Sequence, residues 1–336
     1  MKKLFFVYAI LIAAFFFYLY HYQTSEVSTV FEQEEEGILG DIDEKYVMVT
    51  FQVGMDYWKE VLKGFEDAAE ALNVSVEYRG ATQYDVNEQI TVLEQVIARK
   101  PAGIAVTAIH PEKLNATINK AIEAGIPVVL FDADAPDSRA ASFFGTNNYN
   151  AGVIAANKMA ELVGENGKVG VITLPKQANH IDRTEGFQET IEEKYPDIEV
   201  VAIKDGKADQ LSSRQAALEI MNQHPDLKGL FITEANGGVG VGEAKHLFDK
   251  ENDVKIISFD TDKEILDMVK NETISATIAQ GTWNMGYWSL QYLFHLKHDL
   301  ILSKNGRFTD EATFMTTMDT GVTVVTKKNV GEFYAK

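Results

Sequence analysis

The sequence predicts an α/β protein of two similar doubly wound parallel-sheet lobes, joined by a multi-crossover hinge. Three observations carry that prediction. Short, wholly apolar runs such as Val128-Val-Leu-Phe131 alternate with longer segments of helical periodicity, the pattern of a parallel sheet covered on both faces. The phrase Ile126-Pro-Val-Val-Leu-Phe-Asp-Ala-Asp134 returns as Val254-Lys-Ile-Ile-Ser-Phe-Asp-Thr-Asp262. Lys100–Thr107 likewise returns as Asp226–Thr233, and Leu62–Glu66 as Thr184–Gln188, all at an offset of about 120 residues. Finally, 336 residues exceed one comfortable core.

Composition narrows the function. A formal net charge of −19 repels phosphate, so nucleic acid is not an expected partner. The absence of cysteine excludes disulfides, thiolate metal sites, a cysteine nucleophile and a lipid-modified cysteine. It agrees with an extracytoplasmic location without establishing one.

Taken in order, Lys2-Lys3 precede an uncharged run, Leu4 to Tyr20, that ends in the aromatic belt Phe15 to Tyr22. No small-residue cleavage site follows. Residues 1–22 read as an uncleaved anchor holding the rest outside the cell membrane; a secretion signal cut at an atypical site is the competing reading. Residues 23–45 are an acidic, aperiodic linker. Tyr46–Val53 is the first strand, and the helix after it carries Trp58, Leu62, Phe65, Ala69 and Leu72 on one face. Strands at Val74–Tyr78 and Gly103–Ala108, and helices at Asn87–Arg99 and Leu114–Ala124, lead to the Phe131 strand. Phe143–Gly145 leads into a crossover. Strands at Lys168–Leu174, Ile198–Ile203, Gly229–Thr233 and Val254–Phe259 repeat the series, with helices at Thr184–Lys194, Gln210–Gln223 and Val239–Phe248. Ala276–Gln280 is a fifth strand. Gly281-Thr-Trp-Asn-Met-Gly286 then echoes Gly145-Thr-Asn-Asn-Tyr149, placing a second crossover there, and Gly321–Thr326 reads as a last strand. The N-terminal lobe is therefore expected at 46–146 plus 282–318, and the C-terminal lobe at 147–281 plus 319–336.

Ligands of parallel α/β sheets bind beyond the carboxyl ends of the strands. Asp132, Asp134 and Asp260 fall there, as do Glu234, Asn236 and Gln280. Carboxylates so placed need hydrogen-bonding partners, although a polar turn capped by Asp would also account for them. Tyr57 and Trp58, at the first strand-to-helix turn, can offer rings to the apolar face of a sugar; alternatively Trp58 begins the core face of its helix. Arg183 suits two adjacent hydroxyls. Asn236-Gly-Gly-Val-Gly-Val-Gly242 imitates a dinucleotide loop but has the wrong spacing, and a tight turn with close helix packing accounts for it. Paired acids could serve a glycosidase, but nothing local raises their pKa values. His295 and His298 lack a third metal ligand. No metal or cofactor is expected.

From about Tyr46 onward the chain resembles the type I periplasmic sugar-binding proteins of the ribose- and galactofuranose-binding group. The resemblance is carried by Phe51-Gln-Val-Gly with Tyr57-Trp58, Phe131-Asp-Ala-Asp-Ala-Pro136, Gly145-Thr-Asn-Asn-Tyr-Asn-Ala-Gly152, Arg183 with Gly186-Phe187, Phe259-Asp260 and Ala276–Gln280. It implies a non-enzymatic protein that holds a monosaccharide between its lobes. Aromatics would stack on the sugar, and the acids, Arg183 and Gln280 would bond to its hydroxyls. Ribose binders have Arg after the fourth-strand aspartate and Asn after the third strand of the second lobe. Ala133 and Glu234 stand here, so a hydroxyl pattern other than ribose is expected. The anchor makes the chain similar to sugar sensors of three-component systems, implying a pentose, arabinose first, and a membrane histidine kinase as partner. An ABC permease is the alternative partner.

Overall fold

A computed structural model describes residues 13–18, 38–247, 254–300 and 316–334. The first lobe runs β1 (Lys45–Thr50), helix Tyr57–Leu72, β2 (Ser75–Gly80), helix Val86–Ala98, β3 (Gly103–Val106), helix Pro111–Glu123, β4 (Val128–Phe131) and β5 (Phe143–Gly145). The second runs helix Asn148–Val163, β6 (Gly167–Thr173), helix Ala178–Lys194, β7 (Ile198–Asp205), helix Gln210–Gln223, β8 (Leu227–Ile232), helix Ala235–Leu247, β9 (Lys255–Phe259), helix Lys263–Lys270 and β10 (Ala276–Gln280). Helix Thr282–Lys297 and β11 (Thr317–Asp319) then return to the first lobe, and β12 (Val322–Val325) belongs to the second.

The strand orders are β11-β5-β4-β3-β1-β2 and β12-β10-β9-β8-β6-β7, so the same winding occurs twice. Pairing is parallel throughout the first sheet; in the second only β10 with β12 is antiparallel. Apolar clusters cover each sheet, for example Met48, Phe65 and Phe131 on one face of the first and Val49, Leu93 and Leu130 on the other. Each such fully buried side chain contributes about 1.5–3 kcal/mol relative to exposure.

Helix starts follow their local chemistry. Asp85, Asn147 and Asp209 each accept a hydrogen bond from the first turn of the helix they precede. In each lobe two helices cross at glycines. A Cβ on Gly64 would meet the Trp283 carbonyl oxygen at 2.0 Å, and one on Gly286 that of Val61 at 1.8 Å. The second lobe matches this with Gly152 against Arg183 and Gly186 against Tyr149, each 2.1 Å from the carbonyl oxygen. The repeated Gly-Phe of the sequence is thus a repeated helix crossing.

Among the described residues, three segments join the lobes and bond to one another. Thr320 N–H donates to Gly145 O at 2.9 Å, Gly281 N–H to Gly321 O at 3.0 Å, and Asn147 N–H to the Asp319 carboxylate at 3.1 Å.

Several expectations are corrected. The helix assigned to Thr184–Lys194 begins six residues earlier, at Ala178. The one assigned to Val239–Phe248 begins at Ala235, so the glycine run lies inside a helix rather than in a turn. Close packing is the reason: Cβ atoms on Gly238 and Gly240 would strike Ser258 Oγ at 1.9 Å and Gln210 O at 2.1 Å. β11 is too short to show a period in the sequence. The anchor expectation lies largely outside the described residues. Residues 13–18 are helical with exposed side chains, and among the described residues no helix is long and apolar enough to cross a membrane. Much of the linker is also outside them. Its end lies on the first lobe, where Gly40 N–H bonds to Leu72 O and the Glu44 carboxylate to His298.

Candidate functional site

The chain leaves β4 and β9 in the same way. Asp132 and Asp260 both adopt a left-handed backbone, with φ of 61° and 65°. Each donates its N–H to the neighbouring strand, to Phe144 O at 3.0 Å and Ile278 O at 2.8 Å. For a residue with a Cβ this conformation costs about 1–2 kcal/mol, and such costs concentrate at functional sites. The two carboxylates are held apart from their own strands and in reach of other groups.

In the first lobe, Asp132 accepts the Tyr57 hydroxyl at 2.6 Å and the Thr107 hydroxyl at 3.3 Å. Tyr57 comes from the first turn of its helix and Thr107 from the end of β3. Burial pushes the Asp132 carboxyl up, opposed by the Tyr57 bond and Arg183. Burial, followed by Asp132 and Asp260, drives the Tyr57 phenol well above its ordinary value.

In the second lobe, Arg183 is 3% exposed on the second turn of its helix. Its Nε donates to Asn148 Oδ1 at 2.9 Å, Nη1 to Thr233 O at 2.8 Å and Nη2 to Gln280 Oε1 at 3.1 Å. Its Cζ lies 3.7 Å over the Phe259 ring. Three of its five N–H groups are spent, leaving two. Gln280 also donates to Asp260 Oδ1 at 2.7 Å and accepts the Thr146 hydroxyl at 2.7 Å. Burial raises Asp260 to about 6, against Arg183 and the Gln280 bond. Burial raises Glu234 to about 7, against bonds from the Gly237 and Asn236 N–H groups. These values come from burial, a signal that a linear reading of the acids does not contain. The charges of Asp132 and Asp260 act on both Tyr57 and Arg183, so the two sets of strand ends face one another.

Other predicted residues take other roles. Trp58 is 2% exposed, packed edge-on against Phe51 and Phe131, with Nε1 donating to Phe51 O at 2.8 Å. It begins the core face of its helix and backs Tyr57 rather than presenting a ring. Asp134 accepts its own loop's Ala135 N–H at 2.7 Å, the contact of a polar turn, and among the described residues bonds to neither set. The Asn236 side chain is exposed and reaches Ala208 O, at 3.5 Å, because its helix begins before it. Glu234 is both a site carboxylate and the cap of that helix, accepting Gly237 N–H at 2.6 Å.

Thr107, Asn148, His180 and Thr233 escaped the sequence reading. Thr107 and Thr233 close the repeated phrase quoted above and could have been found there. Asn148 and His180 carry no periodic signal. Phe51 and Tyr84 extend the aromatic wall, edge-on at 5.3 Å, with Tyr84 within the field of Asp132. A cavity of about 500 Å³ lies at the opposite ends of the strands, lined by Lys45, Glu77, Arg99 and Lys297, and shares no residue with this cluster. Among the described residues no group of three or more His, Asp or Glu could hold a metal.

The arrangement sets three desolvated carboxylates against one guanidinium. It is short of donors. A neutral molecule rich in hydroxyls supplies them, whereas an anion meets repulsion.

Two doubly wound lobes with apposed polar strand ends and three hinge crossings define a hinged receptor for a small molecule. The chain belongs to the periplasmic binding protein domain family, which matches residues 46–298, and its lobes have the type I fold of that family. It is similar to AraP, an arabinose-binding protein from Geobacillus stearothermophilus, at 65% identity over 87% of this chain and 99% of that one, with a TM-score of 0.83. The sugar-binding protein of a sugar ABC transporter from Bacillus halodurans is 61% identical over 87% of this chain and all of that one, again with a TM-score of 0.83. A XylFII–LytSN complex matches at 27% identity over 84% of this chain and 98% of that one, with a TM-score of 0.71. The xylose/arabinose-binding protein XylF of Sulfolobus acidocaldarius is 29% identical over 58% of this chain, and the match spans about half (49%) of that protein's length.

Proposed function

We propose that this chain is an extracytoplasmic, membrane-anchored monosaccharide receptor, for a pentose with arabinose first, that signals to a membrane histidine kinase by lobe closure. The observation that carries the sugar reading is the donor-poor cluster of Asp132, Asp260 and Glu234 around Arg183, set across a hinge. The arabinose-binding relative supports the choice of sugar. Sugar bridging the lobes favours the closed form, by no more than its differential affinity for the two forms. The XylFII–LytSN likeness supports a kinase partner. The ABC-transporter relative favours a second reading, a transport receptor that offers the same closed lobes to a permease. Both readings make the protein a non-enzyme.

Calorimetric titration of the purified chain with arabinose, xylose, ribose, galactose and glucose tests the proposal. Tight binding of one pentose with no product formed supports it; no heat with any of them sinks it. Release of the protein from membranes by a salt wash would remove the anchor, and retention of a kinase on the sugar-loaded chain separates sensor from transport receptor. Asp132→Ala is expected to weaken binding by roughly a hundredfold, the range for hydrogen bonds to a charged group, while Asp134→Ala leaves the affinity unchanged.

A pH dependence follows from Asp260 and Glu234. Hydroxyl donation favours the ionised carboxylates, whose values in the folded protein are about 6 and about 7. Affinity is therefore expected to rise from pH 5 to about pH 7.5 and then level, with protons released on binding at pH 6. The free protein is expected to show the opposite trend in stability. Both pKa values are raised above those of the unfolded chain, so their ionisation costs stability as pH climbs through the same window. Affinity that is flat between pH 5 and 8 would remove these two acids from the site.

A further inference from the structure

We propose that His180 is a further ligand-contacting residue, accepting a hydroxyl of the bound sugar at Nε2. The inference rests on the monosaccharide reading above and specifies one more contact of that site.

The ring is 5% exposed in the first turn of the helix that carries Arg183. Its Nδ1 lies 2.9 Å from Thr233 Oγ1. The proton roles can be worked out around it. The Thr233 hydroxyl donates to Thr173 Oγ1 at 3.1 Å, and the Thr173 hydroxyl to the His180 carbonyl at 3.3 Å. Thr184 adds its hydroxyl to that carbonyl at 2.7 Å. A hydroxyl carries one proton, and that of Thr233 is already committed to Thr173. With that proton directed to Thr173, Nδ1 is the donor in its bond to Thr233, on the side where the ring also meets the Thr233 backbone. Burial and the nearby Arg183 charge keep the ring neutral, so Nε2 holds a lone pair and no proton.

Among the described residues, the ring of His180 bonds to Thr233 alone, through its hydroxyl and its backbone. Thr233, which fixes the ring, also gives its carbonyl to Arg183 and is followed by Glu234. His180 thus lies against the second-lobe half of the site. Its chemistry differs from that of its neighbours. Asp260 and Glu234 are charged acceptors that titrate near neutrality, and Arg183 is a donor. His180 is an acceptor that stays neutral and so distinguishes a hydroxyl from hydrogen or fluorine at one sugar position across the whole working range of pH.

The test begins with the wild-type full chain, labelled with ¹⁵N. Long-range ¹H–¹⁵N correlation is expected to show His180 protonated at Nδ1 and bare at Nε2, with the Nε2 resonance moving upfield when arabinose is added. The opposite tautomer, or an Nε2 resonance unmoved by bound sugar, overturns the proposal. Calorimetry with arabinose and its monodeoxy and deoxyfluoro analogues follows. Wild type should lose roughly tenfold in affinity at the position facing His180, the size of one hydrogen bond, and His180→Phe should erase that particular penalty while leaving those at other positions. If wild type binds sugar and His180→Phe keeps every penalty, the receptor reading stands and the His180 assignment falls. If wild type binds no monosaccharide, the receptor reading fails first and takes the assignment with it. The labelled wild-type measurement needs no variant, so a misfolded His180→Phe would not protect the idea.

Discussion

Arg183→Met is expected to abolish measurable sugar binding and to lower the unfolding free energy by about 3–5 kcal/mol, the cost of leaving buried charge without its partner. Methionine keeps much of the volume over Phe259, so the loss is electrostatic and hydrogen-bonding in origin. Asn148 Oδ1 and the Thr233 carbonyl lose a donor, as does one side of Gln280 Oε1. Asp260, Glu234 and Asp132 lose the guanidinium whose charge opposes the effect of their burial. The acids can respond by taking up protons, and this gives the experiment a second reading. In the variant their pKa values move further above those of the unfolded chain. The added cost is then present above those values and relieved as pH falls through them. Chemical denaturation should show a larger deficit at pH 8 than at pH 5. A deficit independent of pH would mean that Arg183 acts through packing alone. Arg183→Lys should recover part of the stability and little of the affinity, because an ammonium cannot reach three acceptors in a plane.

Gly152→Val is expected to cost about 3 kcal/mol or more, the upper end of overpacking, because the atoms it meets cannot yield. The first lies 2.1 Å away and is the backbone carbonyl oxygen of Arg183; the next is Phe187 N at 2.8 Å. The helices can only part, and one of them carries Arg183. Sugar affinity should therefore fall together with stability. Gly286→Val strains the equivalent crossing in the first lobe, 1.8 Å from Val61 O, and displaces the helix carrying Tyr57. Gly54 has nothing within 4 Å of its would-be Cβ, and Gly54→Ala should change stability by less than about 0.5 kcal/mol. Equal denaturation midpoints for Gly54→Ala and Gly152→Val would refute the reading of these crossings.

How much of this was legible in the sequence depends on the kind of signal. Phe131-Asp132 and Phe259-Asp260 stood out because an apolar strand ending in a carboxylate is costly and occurs twice. The first turn of the Ala235–Leu247 helix, through Gly237 and Gly238, was hidden because glycine disfavours helices locally, and only close neighbours in space reverse that preference. Arg183 was visible as a residue but not as a buried one, since its burial comes from the Asn148 helix, β8 and β10 together. Trp58 satisfied two readings, and the Phe51 carbonyl decided between them. His180 left no trace, because a hydroxyl network of Thr173, Thr184 and Thr233 exists only once three elements have met.

Gln280 touches Asp260 and Arg183 on one side and, through Thr146, the crossover that joins the lobes on the other. The groups that would grip a ligand and the joint that would swing are therefore parts of one hydrogen-bonded chain. Apparent affinity is the intrinsic affinity scaled by the fraction of molecules already in the binding form. A substitution at Thr146 or Gln280 changes both factors at once. Natural variation along this chain therefore cannot retune the concentration at which the protein responds without also retuning how often it closes empty. Sensitivity and background signal are inherited as a pair.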